Sequence, residues 1–320
     1  WRASKLGSGG SYSPRYCYTV WMRHIILAHK SNLNYCPNVV AELGPGDSLG
    51  VGIMALLLGS IKYIACDVVE FSNVKKNLII LEKLLVMLRN REPIPDDIEF
   101  PRVIPKLDDY SFPHDIYSDD YLKLCLSDER VEKIRASLSS QNMMIEYNHA
   151  WTKDHGIYKR NIDMVISQAV LEHVDDLKSV YEIQKNWLNN KRFISHSIDF
   201  KSHGYSSTWD GHWKISNWRW FLLRGNRPYM INREPLSKHI SIIKQNCKTP
   251  VLLFPGNAMQ VNNKADGILF LSLISGRNPE MLIGNHVITA PILKESDLEV
   301  LPTGYMIINS GKVTSVSYMS

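Results

Sequence analysis

Two apolar runs, "VVAEL" and "VGIMALLLG", flank the short stretch "GPGDSLG", and this juxtaposition constrains the fold more than any other part of the chain. Glycine reaches backbone conformations that other residues avoid. Gly44 and Gly46 therefore mark a strand that stops, a tight turn, and a helix that starts. "PNVVAEL" predicts a short buried strand, "SLGVGIMALLLG" the helix, and "KYIACDVV" a second strand. A long helix follows, with Val74, Leu78, Leu81, Leu85 and Leu88 at four- and three-residue steps along one face. "NMMIEY" and "IDMVISQ", a helix over residues 174–188 and "KRFISHSI" bring the strand–helix alternations to four or five. That rhythm predicts an α/β fold with a doubly wound, mostly parallel sheet covered by helices.

At 320 residues, 44% apolar and 22% charged, the chain can bury a large core and carries no signature of disorder. No apolar run approaches the ~20 residues that span a bilayer. Five scattered cysteines, never spaced C-x-x-C, argue against a zinc site or disulfide framework and for a cytoplasmic protein. The chain starts at Trp1, and its opening stretch has no signal-peptide pattern. A net charge of +5 permits an anionic substrate without identifying one. Residues 1–35 read as an N-terminal segment and helix, and 36–320 as one domain with insertions at about 92–140 and 200–235. The first insertion suits a lid or an oligomer contact. Towards the end, "TPVLLF", "GILFLSLI" and "TGYMIIN" predict strands, the last of them at an edge.

In open parallel sheets ligands bind beyond the carboxyl ends of the strands. The helix after the glycine turn offers N–H groups there. Glu42, Pro45 and Asp47 make the turn unfavourable for a pyrophosphate, and Asp67, ending the second strand, suits the two hydroxyls of a ribose. A ligand with a ribose, a positive centre and no phosphate fits, which describes S-adenosyl-L-methionine. "AELGPGDSLG", "IACDVVEF" and "DMVISQAVLEHVDD" together resemble successive motifs of class I S-adenosylmethionine-dependent methyltransferases, and "ESDLEVLPTGYMIINSGK" resembles their closing strand region. The resemblance implies a seven-stranded Rossmann-like methyltransferase sheet with a helical insertion and an aromatic and basic acceptor insertion. It implies cofactor contacts from Glu42, Gly44, Gly46, Asp67, Ser167 and Gln168, with Trp151 near the adenine. Tyr12 and Arg15 are candidates to fold over the cofactor.

Methylating an alcohol needs a base, and a histidine titrating near ~6.5 suits that task. "SHSIDFKSHGYSSTWDGHW" supplies His196, Asp199, His203, Asp210 and His212 within a short span. His203 is the expected base, oriented by Asp199, with His212 second; no metal is expected. His173 reads as shaping a helix start. Trp209 to Trp220, interleaved with Lys214, Arg219, Arg224 and Arg227, suggest acceptor recognition, with His196, Trp213, Arg224 and Arg227 touching the substrate. "HSIDFKSHG" and "RGNRPYMINREPLSKH" resemble glycan- and polysaccharide-associated bacterial methyltransferases. The resemblance implies O-methylation of a sugar, sugar phosphate or glycan end. Alternatives are another small metabolite, RNA modification, or a non-catalytic cofactor-binding subunit. The charge is local to one insertion, which disfavours nucleic acid.

Overall fold

The computed structural model describes residues 10–30, 36–68, 73–101, 103, 107–140, 144–149, 161–208, 210–227, 229–235, 238–239 and 241–243, and the strands at 251–254, 268–275 and 304–309. The fold is α/β. Apart from residues 104–106, the chain divides into two compact units at Ile166/Ser167.

The first unit opens with α1 (Pro14–Lys30), which packs on α2 and α3. β1 (Val39–Leu43), α2 (Gly50–Leu57), β2 (Lys62–Asp67) and α3 (Val74–Arg89) then alternate as the sequence predicts. After α4 (Asp119–Cys125) and α5 (Asp128–Ser140) come β3 (Ile145–His149) and β4 (Ile162–Gln168), whose last two residues belong to the second unit. The strand order is β3-β2-β1-β4, with β1, β2 and β3 paired in parallel. Every residue of α2 is buried, as expected of a helix apolar on all sides. Its glycines are packing positions. A Cβ on Gly52 would lie 2.1 Å from the Tyr63 ring, and one on Gly50 would lie 2.3 Å from Cys17 Sγ. The Asp163 carboxylate fixes the entry to β1 by accepting the Asn38 and Val39 amides at 2.8 and 3.0 Å.

The core face of α3 differs from the expected stripe. Leu81, Leu85 and Leu88 are buried, but Val74 is exposed and Leu78 only partly covered, while Asn77 and Ile80 point inward. Asn77 is drawn in because its Oδ1 accepts the Leu49 amide at 3.0 Å. Residues 92–140 strap α1 and buttress α2. Tyr18 and Thr19 donate to the Glu92 and Pro95 carbonyls, and the fully buried Arg23 reaches Pro95 and Asp97. Tyr121 and Arg130 donate to the Leu56, Leu58 and Ser60 carbonyls at the end of α2, satisfying acceptors that a helix terminus leaves open.

The second unit contains α6 (Leu177–Trp187), β5 (Leu188–Asp199), α7 (Asn217–Arg224), β6 (Val251–Phe254), β7 (Ile268–Ser275) and β8 (Gly304–Asn309). Its strand order is β5-β7-β8-β6. β7 runs antiparallel to β5, β8 parallel to β7, and β6 antiparallel to β8. The described strands therefore number eight, not the seven expected, and "TGYMIIN" is interior while β6 takes the edge. No helix of the described residues is long and apolar enough to cross a membrane.

Candidate functional sites

In the first unit the glycine turn adopts the backbone that its sequence demands. Gly44 and Gly46 have φ of 63° and 71°, a region L residues rarely enter. Glu42 is buried and accepts the Tyr63 hydroxyl at 2.6 Å. Burial, offset in part by that hydrogen bond and reinforced by Asp67, pushes the Glu42 carboxyl up to about 8. Asp67 is buried, accepting its neighbour Val68 N–H at 2.7 Å and Gly46 N–H at 3.4 Å. Asp47 is nearly buried, and its Oδ2 has no hydrogen-bond partner.

The N–H groups ahead of α2 are already engaged. Ser48 N–H donates to Ser11 Oγ, Leu49 N–H to Asn77 and Gly50 N–H to Ser48 Oγ. Three donors expected to face a ligand are thus satisfied by the protein itself. Arg15 is committed to Glu92 and Glu99. Tyr12 is 60% exposed. Trp151 lies outside the described residues.

In the second unit, Ser167 and His196 come together in the interior. His196 is fully buried. It lies between Ser167 Oγ, 2.7 Å from Nδ1, and Gln184 Oε1, 2.6 Å from Nε2. Gln184 Oε1 can only accept, so Nε2 carries the proton and the Ser167 hydroxyl donates to Nδ1. The ring is thereby held as a core element rather than presented to a substrate. Gln168 Oε1 is buried without a partner.

His203 Nε2 lies 3.3 Å from Asp199 Oδ2, so the expected pair does form. Lys201 Nζ is 3.5 Å from the same oxygen. Burial opposes ionisation of Asp199, but His203 and Lys201 outweigh it and hold the carboxyl below its usual range. His203 has φ of 48° and precedes Gly204 at 84°, a tight left-handed corner that returns the ring toward His173, with centroids 5.3 Å apart. His173 Nδ1 is 2.8 Å from the Tyr229 carbonyl, so that nitrogen donates. Glu172 is only 3% exposed, and no side chain hydrogen-bonds to its carboxylate oxygens. Burial and the Asp199 charge push it well above the usual carboxylate range.

Sequence reasoning missed Glu172, taking "LEHVDD" only as a helix start. A glutamate is normally solvated there, and the visible clue was its neighbour His173.

The aromatic and basic insertion is largely structural. Trp213 Nε1 donates to the Arg233 carbonyl at 2.9 Å, and Arg233 donates to the Ile215 carbonyl at 2.7 Å while covering Trp220 at 4.6 Å. Trp220 packs with Met230 and Ile231. His212 is buried against Trp213, and Arg224 pairs with Asp175. Trp209 lies outside the described residues. Trp218, Phe221 and Leu222 of α7 remain exposed, and Trp218 and Leu222 border a surface depression with Lys214, Arg219 and Arg227.

The family match falls on the end of the chain. Residues 224–320 match the PcrB family. The geranylgeranylglyceryl phosphate synthase of Spirosoma linguale is 59% identical over 81 residues, 25% of this chain and 32% of that protein. That of Chitinophaga pinensis is 53% identical over 85 residues, 27% and 34% of the two chains. The chain thus spans about a third of the length of these curated relatives. Among solved structures, a putative S-adenosylmethionine-dependent methyltransferase from Listeria monocytogenes aligns with 78% of this chain and 98% of its own at 13% identity, with a TM-score of 0.41. A likeness at that level carries no functional argument.

The family match overturns the methyltransferase reading, together with its S-adenosyl-L-methionine cofactor and its O-methylation of a glycan acceptor. "ESDLEVLPTGYMIINSGK", assigned to the closing strand of a methyltransferase, lies inside the matched segment. The physical source of the error is the strand–turn–helix unit with acidic flanks. It reports a doubly wound geometry and not one particular ligand.

Proposed function

We propose that this chain takes part in prenyl transfer to glyceryl phosphate, with residues 224–320 contributing part of the catalytic surface. The observation that carries this reading is the match of that segment to the PcrB family and to relatives named geranylgeranylglyceryl phosphate synthase. Joining a geranylgeranyl group to glyceryl phosphate requires the glyceryl hydroxyl to attack an activated allylic carbon while an anionic group such as diphosphate leaves. Both partners are then phosphorylated, and one carries a long apolar chain. The matched segment has ten Lys and Arg against six Asp and Glu, and so holds most of the net +5 of the whole sequence. Ser275-Gly276-Arg277 and Ser310-Gly311-Lys312 place small residues beside a cation, a composition suited to close phosphate approach. Immediately before the segment, α7 offers exposed Trp218, Phe221 and Leu222 near Arg219 and Arg227, which suits an apolar chain with an anionic head. A reducing compartment such as the cytoplasm agrees with four free cysteines among the described residues.

The test incubates the purified full chain with geranylgeranyl diphosphate and glycerol phosphate in magnesium buffer and follows the ether product by mass spectrometry. Product that falls roughly ten- to a hundredfold in Arg277→Ala, the loss of a charge-assisted phosphate contact, supports the reading. Absence of both product and saturable glycerol phosphate binding overturns it.

A second proposal concerns the first unit. Glu42, Gly44, Gly46 and Asp67 border a site for a small ligand that donates hydrogen bonds, such as a diol or an amine. The partnerless, nearly buried Asp47 Oδ2 supports it. Ligand-observed NMR against diol and amine fragments should give hits that Asp67→Ala weakens; hits indifferent to that substitution, or none, remove the site.

A further inference from the structure

We infer that Glu172, His173 and His203 form a binding site for a divalent transition-metal ion. One donor atom from each lies within 4.8 Å of the others, the only such grouping of three found among the described residues. Metal–ligand bonds of about 2.0–2.2 Å place neighbouring donors on the order of 3–4 Å apart, so a small contraction closes the set. The Glu172 carboxylate supplies the independent argument. It is buried, and no side chain hydrogen-bonds to either of its oxygens. A buried carboxylate charge of that kind is costly, and a bound cation is one way to meet it.

The surroundings match what a ligating histidine requires. The Tyr229 carbonyl takes the Nδ1 proton of His173, which leaves the Nε2 lone pair for an ion. Asp199, 3.3 Å from His203, can hold the second ring in the same manner. Backbone bonds fix the turn that carries Glu172. Asn232 N–H donates to the Glu172 carbonyl at 2.6 Å, and the Asn232 amide donates to the Leu171 and Val174 carbonyls. Lys201 is 3.5 Å from Asp199, and its charge also reaches Glu172. Two imidazoles and one carboxylate suit zinc, iron, cobalt or manganese better than magnesium or calcium, which prefer oxygen alone. His203 is partly exposed, so an ion there keeps a face open to water or substrate. All three ligands precede the matched segment, so the site stands apart from the prenyl-transfer reading.

The experiment uses the untagged full chain, stripped with chelator and titrated with Co²⁺ while visible absorption is followed, then with Zn²⁺ in competition. The expected result is one Co²⁺ per chain with ligand-field bands that Zn²⁺ abolishes. Glu172→Gln and His203→Ala should each weaken binding by about tenfold or more. His203 lies at a partly exposed corner, so its truncation keeps the test valid even if Glu172→Gln fails to fold. A wild-type spectrum identical to aqueous Co²⁺, or unchanged bands and affinity in His203→Ala, would overturn the assignment.

Discussion

The Tyr63 hydroxyl on β2 donates to the Glu42 carboxylate on β1 at 2.6 Å, and the ring of the same tyrosine fills the space beside Gly52 of α2. One side chain therefore couples the acidic end of the first strand to the packing of the central helix.

Glu42 should make the protein more stable at mildly acidic than at alkaline pH. Burial raises its folded pKa to about 8, above the ordinary glutamate value, so the folded state holds a proton that the unfolded state has released. That contribution is complete below the unfolded pKa and is lost as pH rises through about 8. Thermal melts should show the wild type losing stability between about pH 4.5 and about pH 8 and levelling off above, while Glu42→Gln, which keeps an acceptor for Tyr63, flattens the slope. Parallel curves for the two proteins would contradict the assignment.

Gly52→Ala should destabilise by about 1–3 kcal/mol, because the added methyl overlaps the Tyr63 ring. Denaturant unfolding measures the loss. A double substitution with Tyr63→Leu should recover part of it, and full additivity of the two would show that the ring is not the obstacle.

His196→Ala should cost about 3 kcal/mol, since it leaves the Ser167 hydroxyl and Gln184 oxygen buried without a partner and opens a cavity. A double-mutant cycle with Ser167→Ala should give a clear coupling energy. A cycle that closes at zero would dissolve the proposed chain of hydrogen bonds.

On the acid side, His24 and His239 are both buried, and desolvation brings each down to about 3. The unfolded chain takes up their protons near ~6.5, so stability falls as pH drops through the window from about 6.5 to about 3. His239→Gln should lessen that acid loss in melts near pH 5 (approximately). An unchanged acid limb would mean that other groups dominate it.

Much of the first unit was legible in the sequence because its signals are local. The turn at Gly44 and Gly46, the strands around Val40 and Ile64 and the helix from Val74 follow from residue type and spacing alone. The inward turn of Asn77 was not, since it depends on an amide from Leu49, far away in sequence. Asp199 and His203 were readable at four-residue spacing. Glu172 was not, because burial of a charge at a helix start is set by tertiary packing. The last part of the chain misled for a different reason: its strands fit the preceding rhythm, so a segment related to another family read as the close of one domain.

Asn232 gives that segment a structural reach beyond its own length. It lies within the PcrB-like portion, yet it holds the Leu171, Glu172 and Val174 carbonyls through three hydrogen bonds. Excising everything from residue 224 onward would therefore strip away not an appendage but the splint of the turn that presents Glu172 and His173. Gene truncation meant to isolate the amino-terminal portion should keep at least this asparagine.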